Sequence, residues 1–146
     1  MPVTESDVEE SNQALEALYR GEVGAVLAYD WALEQVVPHR AELAAIRDTH
    51  HACQTLLLVR LRKAGVEPSG GIIPWAEAIV VRSGEIGLAN VCQELLACER
   101  AGWRACLDAF ERVTCETRCF LEDEIQSRLE ESLSQISALC SGAEST

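Results

Sequence analysis

The sequence predicts an all-α protein, a four-helix bundle built from two antiparallel hairpins joined by a long crossover. Three observations predict it. Apolar residues recur at three- and four-residue steps over four long stretches of the 146 residues. No stretch keeps the two-residue alternation of a half-buried strand, and triplets such as Ile79-Val80-Val81 are too isolated to pair. One connection, residues 66–86, is much longer than the other two, which separates this chain order from a simple up-and-down bundle.

Each element follows from local chemistry. Ser6-x-x-Glu9 reads as a capping box for a first helix from about Asp7 to about Val36, with Leu15, Leu18, Tyr19, Glu22, Ala25, Val26, Tyr29 and Leu33 on its stripe and Pro38 as its stop. A second helix starts between His39 and Glu42 and runs to Ala64. Leu43, Ile46, His50, Cys53, Leu57 and Leu61 face inward and Gly65 caps the end. So short a turn makes these two helices antiparallel neighbours. Pro68, Gly70, Gly71 and Pro74 mark a loop, followed by a short helical piece over Trp75 to Val81 that breaks near Ser83-Gly84. A third helix fits about Gly87 to Val113, with Val91, Leu95, Cys98 or Glu99, Gly102, Cys106 and Phe110 inward. Thr114 caps a fourth, which carries Leu121, Ile125, Leu129 or Ser132, Ile136 and Leu139 and stops near Gly142. Hairpin, crossover, hairpin is ferritin-like connectivity, in one domain over 1–146 with its core between about 7 and 140.

Composition narrows the function. Asp and Glu outnumber Lys and Arg by 24 to 12, a net charge of -12, and no basic cluster occurs, so nucleic acid and anionic membranes are disfavoured partners. No run approaches the roughly 18 apolar residues of a spanning helix, and no export signal is visible. The expectation is a soluble cytoplasmic protein. Its seven cysteines, an odd number without a C-x-x-C pair, read as reduced thiols at apolar helix positions. Cys115 and Cys119 stand one turn apart, but two ligands do not make a metal site.

Glu22 is the informative residue, because a carboxylate in an apolar stripe costs several kcal/mol unless it is paired or bound to metal. A two-metal carboxylate bundle draws a Glu from each of two helices and a Glu-x-x-His step from each of the other two. Glu22 supplies the first part, Asp48-x-x-His51 a shortened second and Glu99 a third, with Tyr29 two turns beyond Glu22. The candidate metal ligands are therefore Glu22, Asp48, His51 and Glu99. The fourth part is missing: helix four offers Glu124-x-x-Ser127 and Glu131-Ser132, and all three histidines (His39, His50, His51) lie in the first half. A hydroxyl is a poor terminal ligand beside an imidazole.

Plainer readings stand beside these. Glu22 can pair with Arg47, Arg100 or Arg104 of a facing helix. His50, on the apolar stripe, reads as a hydrogen-bonded core histidine, and His51 points about 100° away from it. The halves also echo each other: Glu22, Tyr29 and Ala32-Leu33-Glu34 match Glu99, Cys106 and Ala109-Phe110-Glu111. A second register sets Arg20-Gly21-Glu22 on Arg100-Ala101-Gly102 and puts a glycine opposite Glu22. Both remain open at this point.

Arg20-Gly21-Glu22, the Leu57-x3-Leu61-x3-Gly65-x-Glu67-Pro68 end of helix two, the Pro74-Trp75 step and Ala97-Cys98-Glu99-Arg100 resemble an uncharacterised bacterial ferritin-like family related to rubrerythrins. The resemblance spans about Asp7 to Leu139. It implies a four-helix ferritin-like domain of unknown function, often dimeric or a higher homo-oligomer. Related members carry a further Glu after the Cys-Glu-Arg step, where Gly102 or a neighbour stands here, and a histidine on helix four that this chain lacks.

Two functions follow as expectations. One is a ferritin-like scaffold or binding module with a degenerate, incomplete di-metal site, no resident cofactor and no catalytic residue. The other is a working di-iron protein that oxidises ferrous iron or reduces peroxide, with iron or another divalent metal as cofactor. The missing imidazole favours the first. Thiol sensing through Cys115, near a helix N-terminus, is a third and weaker idea.

Overall fold

The computed structural model describes residues 2–35, 39–68 and 88–144. Pro38 and most of the expected crossover, including the helical piece over 75–81, lie outside them. The described residues form helices and no strand: α1 (Glu5–Gln35), α2 (Arg40–Lys63), α3 (Leu88–Phe110), α4 (Cys115–Phe120), a π-helical turn (Leu121–Gln126) and α5 (Ser127–Glu144).

The helix ends show what sets the lengths. The capping box lies two residues earlier than Ser6-x-x-Glu9: Thr4 and Asp7 exchange hydrogen bonds, Asp7 N–H to Thr4 Oγ1 at 3.1 Å and Thr4 N–H to the Asp7 carboxylate at 3.0 Å. Thr114 accepts from Thr117 N–H and opens α4, as its position suggested. α2 ends in a Schellman turn, with Val66 N–H on Leu61 O at 2.9 Å, Gly65 N–H on Arg62 O at 3.0 Å and Gly65 at φ 78°. Its left-handed backbone is what glycine supplies without strain. The π turn carries the chain from α4 into α5 without a break, since the residues flanking it keep right-handed helical angles. Leu121 and Ile125 are buried within it, and Leu129, Ser132 and Ile136 continue the inward face.

Two apolar clusters give the helix directions. Ala28, Tyr29, Trp31, Ala32 and Leu33 near the end of α1, Leu43 and Ile46 at the start of α2, Val91, Cys92 and Leu95 at the start of α3 and Ile136 and Cys140 late in α5 form one. Ala14, Leu15 and Leu18 of α1, Cys53, Leu57 and Leu61 of α2, Cys106 and Ala109 of α3 and Leu121, Ile125 and Leu129 after it form the other. α1 therefore runs antiparallel to both α2 and α3, and α2 antiparallel to α5. α2 and α3 run the same way, so the ends that the chain must join lie at opposite ends of the bundle, about 36 Å apart by the length of α2. That direction pattern distinguishes the fold from an up-down-up-down bundle, in which consecutive helices alternate. α1 packs beside α2 and α3, and α5 beside α2 and α3.

Candidate functional site: a buried carboxylate, imidazole and phenol network

Between the two clusters the core turns polar. Glu22 of α1, His50 of α2 and Glu99 of α3 are buried to 5%, 3% and 4% exposure, and Tyr29 of α1 is fully buried. Each arrives there by helical spacing: Glu22 lies on the stripe of Leu15, Leu18, Ala25 and Tyr29, His50 between Ile46 and Cys53, and Glu99 one turn after Leu95. Nδ1 of His50 meets Glu22 Oε2 at 2.5 Å, and Nε2 of the same ring meets Glu99 Oε1. The Tyr29 hydroxyl donates to that Glu99 oxygen at 2.7 Å, and its ring stacks on the imidazole with centroids 5.5 Å apart.

A carboxylate oxygen only accepts, so an imidazole held by one carboxylate at each nitrogen carries both protons and is a cation. Burial alone would push His50 down; the charge of Glu22 and the hydrogen bonds to Glu22 and Glu99 together outweigh it and raise the ring to about 10. Burial, then the Glu99 charge and hydrogen bond, push the Tyr29 phenol well above its ordinary range, so Tyr29 is a neutral donor. Burial also raises the neighbouring thiols, Cys98 to about 12 and Cys106 to about 11.

The four sequence candidates do not converge. Glu22 and Glu99 share the imidazole of His50, whereas Asp48 and His51 lie on the outer face of α2, where Asp48 pairs with Arg47 at 3.2 Å and both are exposed. Asp48-x-x-His51 has the right spacing on the wrong face: an Asp two residues before His50 and a His one residue after it must both leave the stripe that buries His50. The signal for His50 was present in the run of Leu43, Ile46, Cys53, Leu57 and Leu61. The arginines offered as partners of Glu22 are occupied or outside: Arg47 binds Asp30 and Asp48, and Arg100 and Arg104 are exposed. Of the two registers between the halves, Glu99 rather than Gly102 is the residue across the imidazole from Glu22.

The donors do not fit a two-ion centre. Three residues before His50 stands Arg47, a cation turned to the surface, where a bridging carboxylate would be needed. α5 brings Leu129 and Ser132 to the interior, and Ser132 Oγ has no hydrogen-bond partner among the described residues. Glu124 of the π turn and Glu131 of α5, the other candidates from this part of the sequence, point elsewhere: Glu124 holds Arg128, and Glu131 is exposed. Among the described residues no three His, Cys, Asp or Glu side chains are placed to hold a metal ion.

A cavity of about 150 Å³ opens beside the network, lined by Glu22, His50, Cys98 and Glu99 and by small residues of α1 and α3 such as Gly21 and Gly102. A Cβ built on either glycine meets nothing within 4 Å. Among the described residues no helix is long and apolar enough to cross a membrane. No protein-family model, curated protein or solved structure matches the chain.

Proposed function

We propose that the chain is a ferritin-like bundle in which an imidazolium stands where such bundles hold paired metal ions, and that it acts as a binding module or scaffold, self-associating as a homodimer or higher homo-oligomer, rather than as a redox enzyme. The observation that carries this reading is that both ring nitrogens of His50 are engaged by carboxylates. A metal binds imidazole only by displacing the proton of one ring nitrogen, and the two carboxylates that hold those protons on His50 compete with it. The direction pattern of the helices, with α2 and α3 parallel, supports the ferritin-like assignment.

Metal analysis after aerobic loading with ferrous iron tests the reading. Iron well below one atom per chain is the expected result. Stoichiometric iron that is lost in Glu22→Ala would overturn it in favour of the di-iron alternative.

A further inference from the structure

Two of the seven thiols stand apart from the rest. Cys53, Cys92, Cys98, Cys106 and Cys140 are buried, whereas Cys115 and Cys119 are exposed, and all are free. Both exposed thiols lie on α4, two residues to either side of Thr117, whose side chain is buried. Two residues turn a helix by about 200°, so an inward Thr117 sends both thiols outward, about 40° apart and one turn from each other. The turn is held in place: Thr114 Oγ1 accepts from Thr117 N–H, Arg118 N–H bonds to Thr114 O at 2.8 Å, and Leu121 is buried just beyond.

This spacing decides what the pair can hold. Side chains four residues apart on a helix have Cβ atoms about 5–6 Å apart, and a disulfide needs about 3.5–4.5 Å, so a direct S–S bond would have to distort the turn. One atom bonded to both sulfurs spans the wider gap. Zinc does not suit the position, since it takes four donors and no three His, Cys, Asp or Glu side chains converge among the described residues. Charge weighs against a monovalent soft metal. Asp7, Glu10 and Glu111 line the same surface depression as Cys115, where Arg112 is already paired with Glu10 and Asp108. Replacing two thiol protons with one positive charge would add net negative charge to that acidic face. A trivalent arsenic carrying one organic group avoids both difficulties: it is soft, takes two thiols and gives a neutral product.

We infer that Cys115 and Cys119 form a surface dithiol site for trivalent arsenicals of the arsonous-acid class, separate from the network of Glu22, His50 and Glu99. In binding, the two As–O bonds of the R–As(OH)₂ group give way to two As–S bonds, and each thiol proton leaves with a hydroxyl as water. Arsenic stays trivalent and no electron is transferred, so the step needs no oxidant. The second thiol closes on an arsenic already tethered one turn away. Its effective concentration makes the closed adduct about 10²–10⁴-fold more resistant to a competing monothiol than a single-sulfur adduct.

The test treats the reduced full-length protein with an equimolar amount of phenylarsine oxide, which hydrates to the acid. Intact-mass spectrometry and a count of the thiols that react in the folded state are the readouts. The expected result is a single phenylarsenic per chain with both exposed thiols consumed, an adduct that survives millimolar glutathione and is released by dimercaptopropanol. Cys115→Ser and Cys119→Ser, surface changes that leave the thermal midpoint in place, should each make the adduct about a hundredfold or more easier for glutathione to displace. Diamide, which oxidises thiol pairs, should leave Cys115 and Cys119 unjoined while far-UV circular dichroism is native. No adduct, an adduct on a buried cysteine, or undiminished resistance to glutathione in either single variant would overturn the site. A disulfide between Cys115 and Cys119 formed by diamide at unchanged circular dichroism would overturn the spacing argument that selects arsenic.

Discussion

The phenol of Tyr29 and the imidazole of His50 meet on a single oxygen, Glu99 Oε1, from two different helices. Tyr29 donates at 2.7 Å while its ring stacks on the imidazole, so one side chain both neutralises a lone pair and fixes the ring plane. Tyr29→Phe keeps the stacking and removes the donor. Its expected cost is about 1–3 kcal/mol, the range for leaving a buried charged acceptor short of a bond, read from the urea midpoint.

How far this was legible beforehand can be judged from His50, Glu22, Asp48 and His51. Leu43, Ile46, His50, Cys53, Leu57 and Leu61, all buried, carry a helical period that a reader can count, and it put His50 in the core. Glu22 stood out because a lone carboxylate on an apolar stripe is a visible anomaly. What the sequence did not show is that the two anomalies answer each other, since partner choice depends on how three helices pack. The search for a ligand step by spacing led to Asp48 and His51, which keep the interval and lose the face. The π turn at Leu121–Gln126 and the Thr4 and Asp7 cap were also missed: the first has no strong local signature, and the second was hidden by a competing Ser6-x-x-Glu9 match.

Removal of His50 should cost more than removal of the whole network. His50→Leu strands Glu22 and Glu99 in the core without their cation, a change expected to destabilise the bundle by about 3–5 kcal/mol. Adding Glu22→Met and Glu99→Met replaces the stranded charges with hydrocarbon of similar volume and should recover most of that loss. Chemical denaturation of the single and triple variants checks it; a triple variant no more stable than His50→Leu would contradict the coupling.

The pH dependence follows from the same cation. His50 is raised in the folded state to about 10 from an ordinary value of 6.5, so its contribution is fully present below 6.5 and is lost as pH rises toward 10. Over that interval the unfolded chain has released the proton that the folded chain still holds. Buried Cys53, Cys98 and Cys106, also raised, add a loss of the same sign above their ordinary value of 9.0, and Tyr29 adds one above 10.0. The window from 6.5 to 9 therefore reports His50. Urea midpoints should fall across it in the native protein and stay level in the triple variant that lacks His50, Glu22 and Glu99.

Gly21 and Gly102 sit inside α1 and α3, where glycine is a poor helix former, yet a methyl group on either would touch nothing within 4 Å. Space, not close packing, surrounds both positions, because they line the cavity beside the network. Gly21→Ala and Gly102→Ala should therefore each stabilise the protein by about 0.5–1 kcal/mol, through the lost freedom of the unfolded chain and without a steric penalty. The two positions lie on different helices and the added methyls are small, so the effects should nearly sum. Thermal denaturation of the single and double variants measures this, and a destabilised Gly102→Ala would mean that the space beside α3 is smaller than the backbone geometry requires.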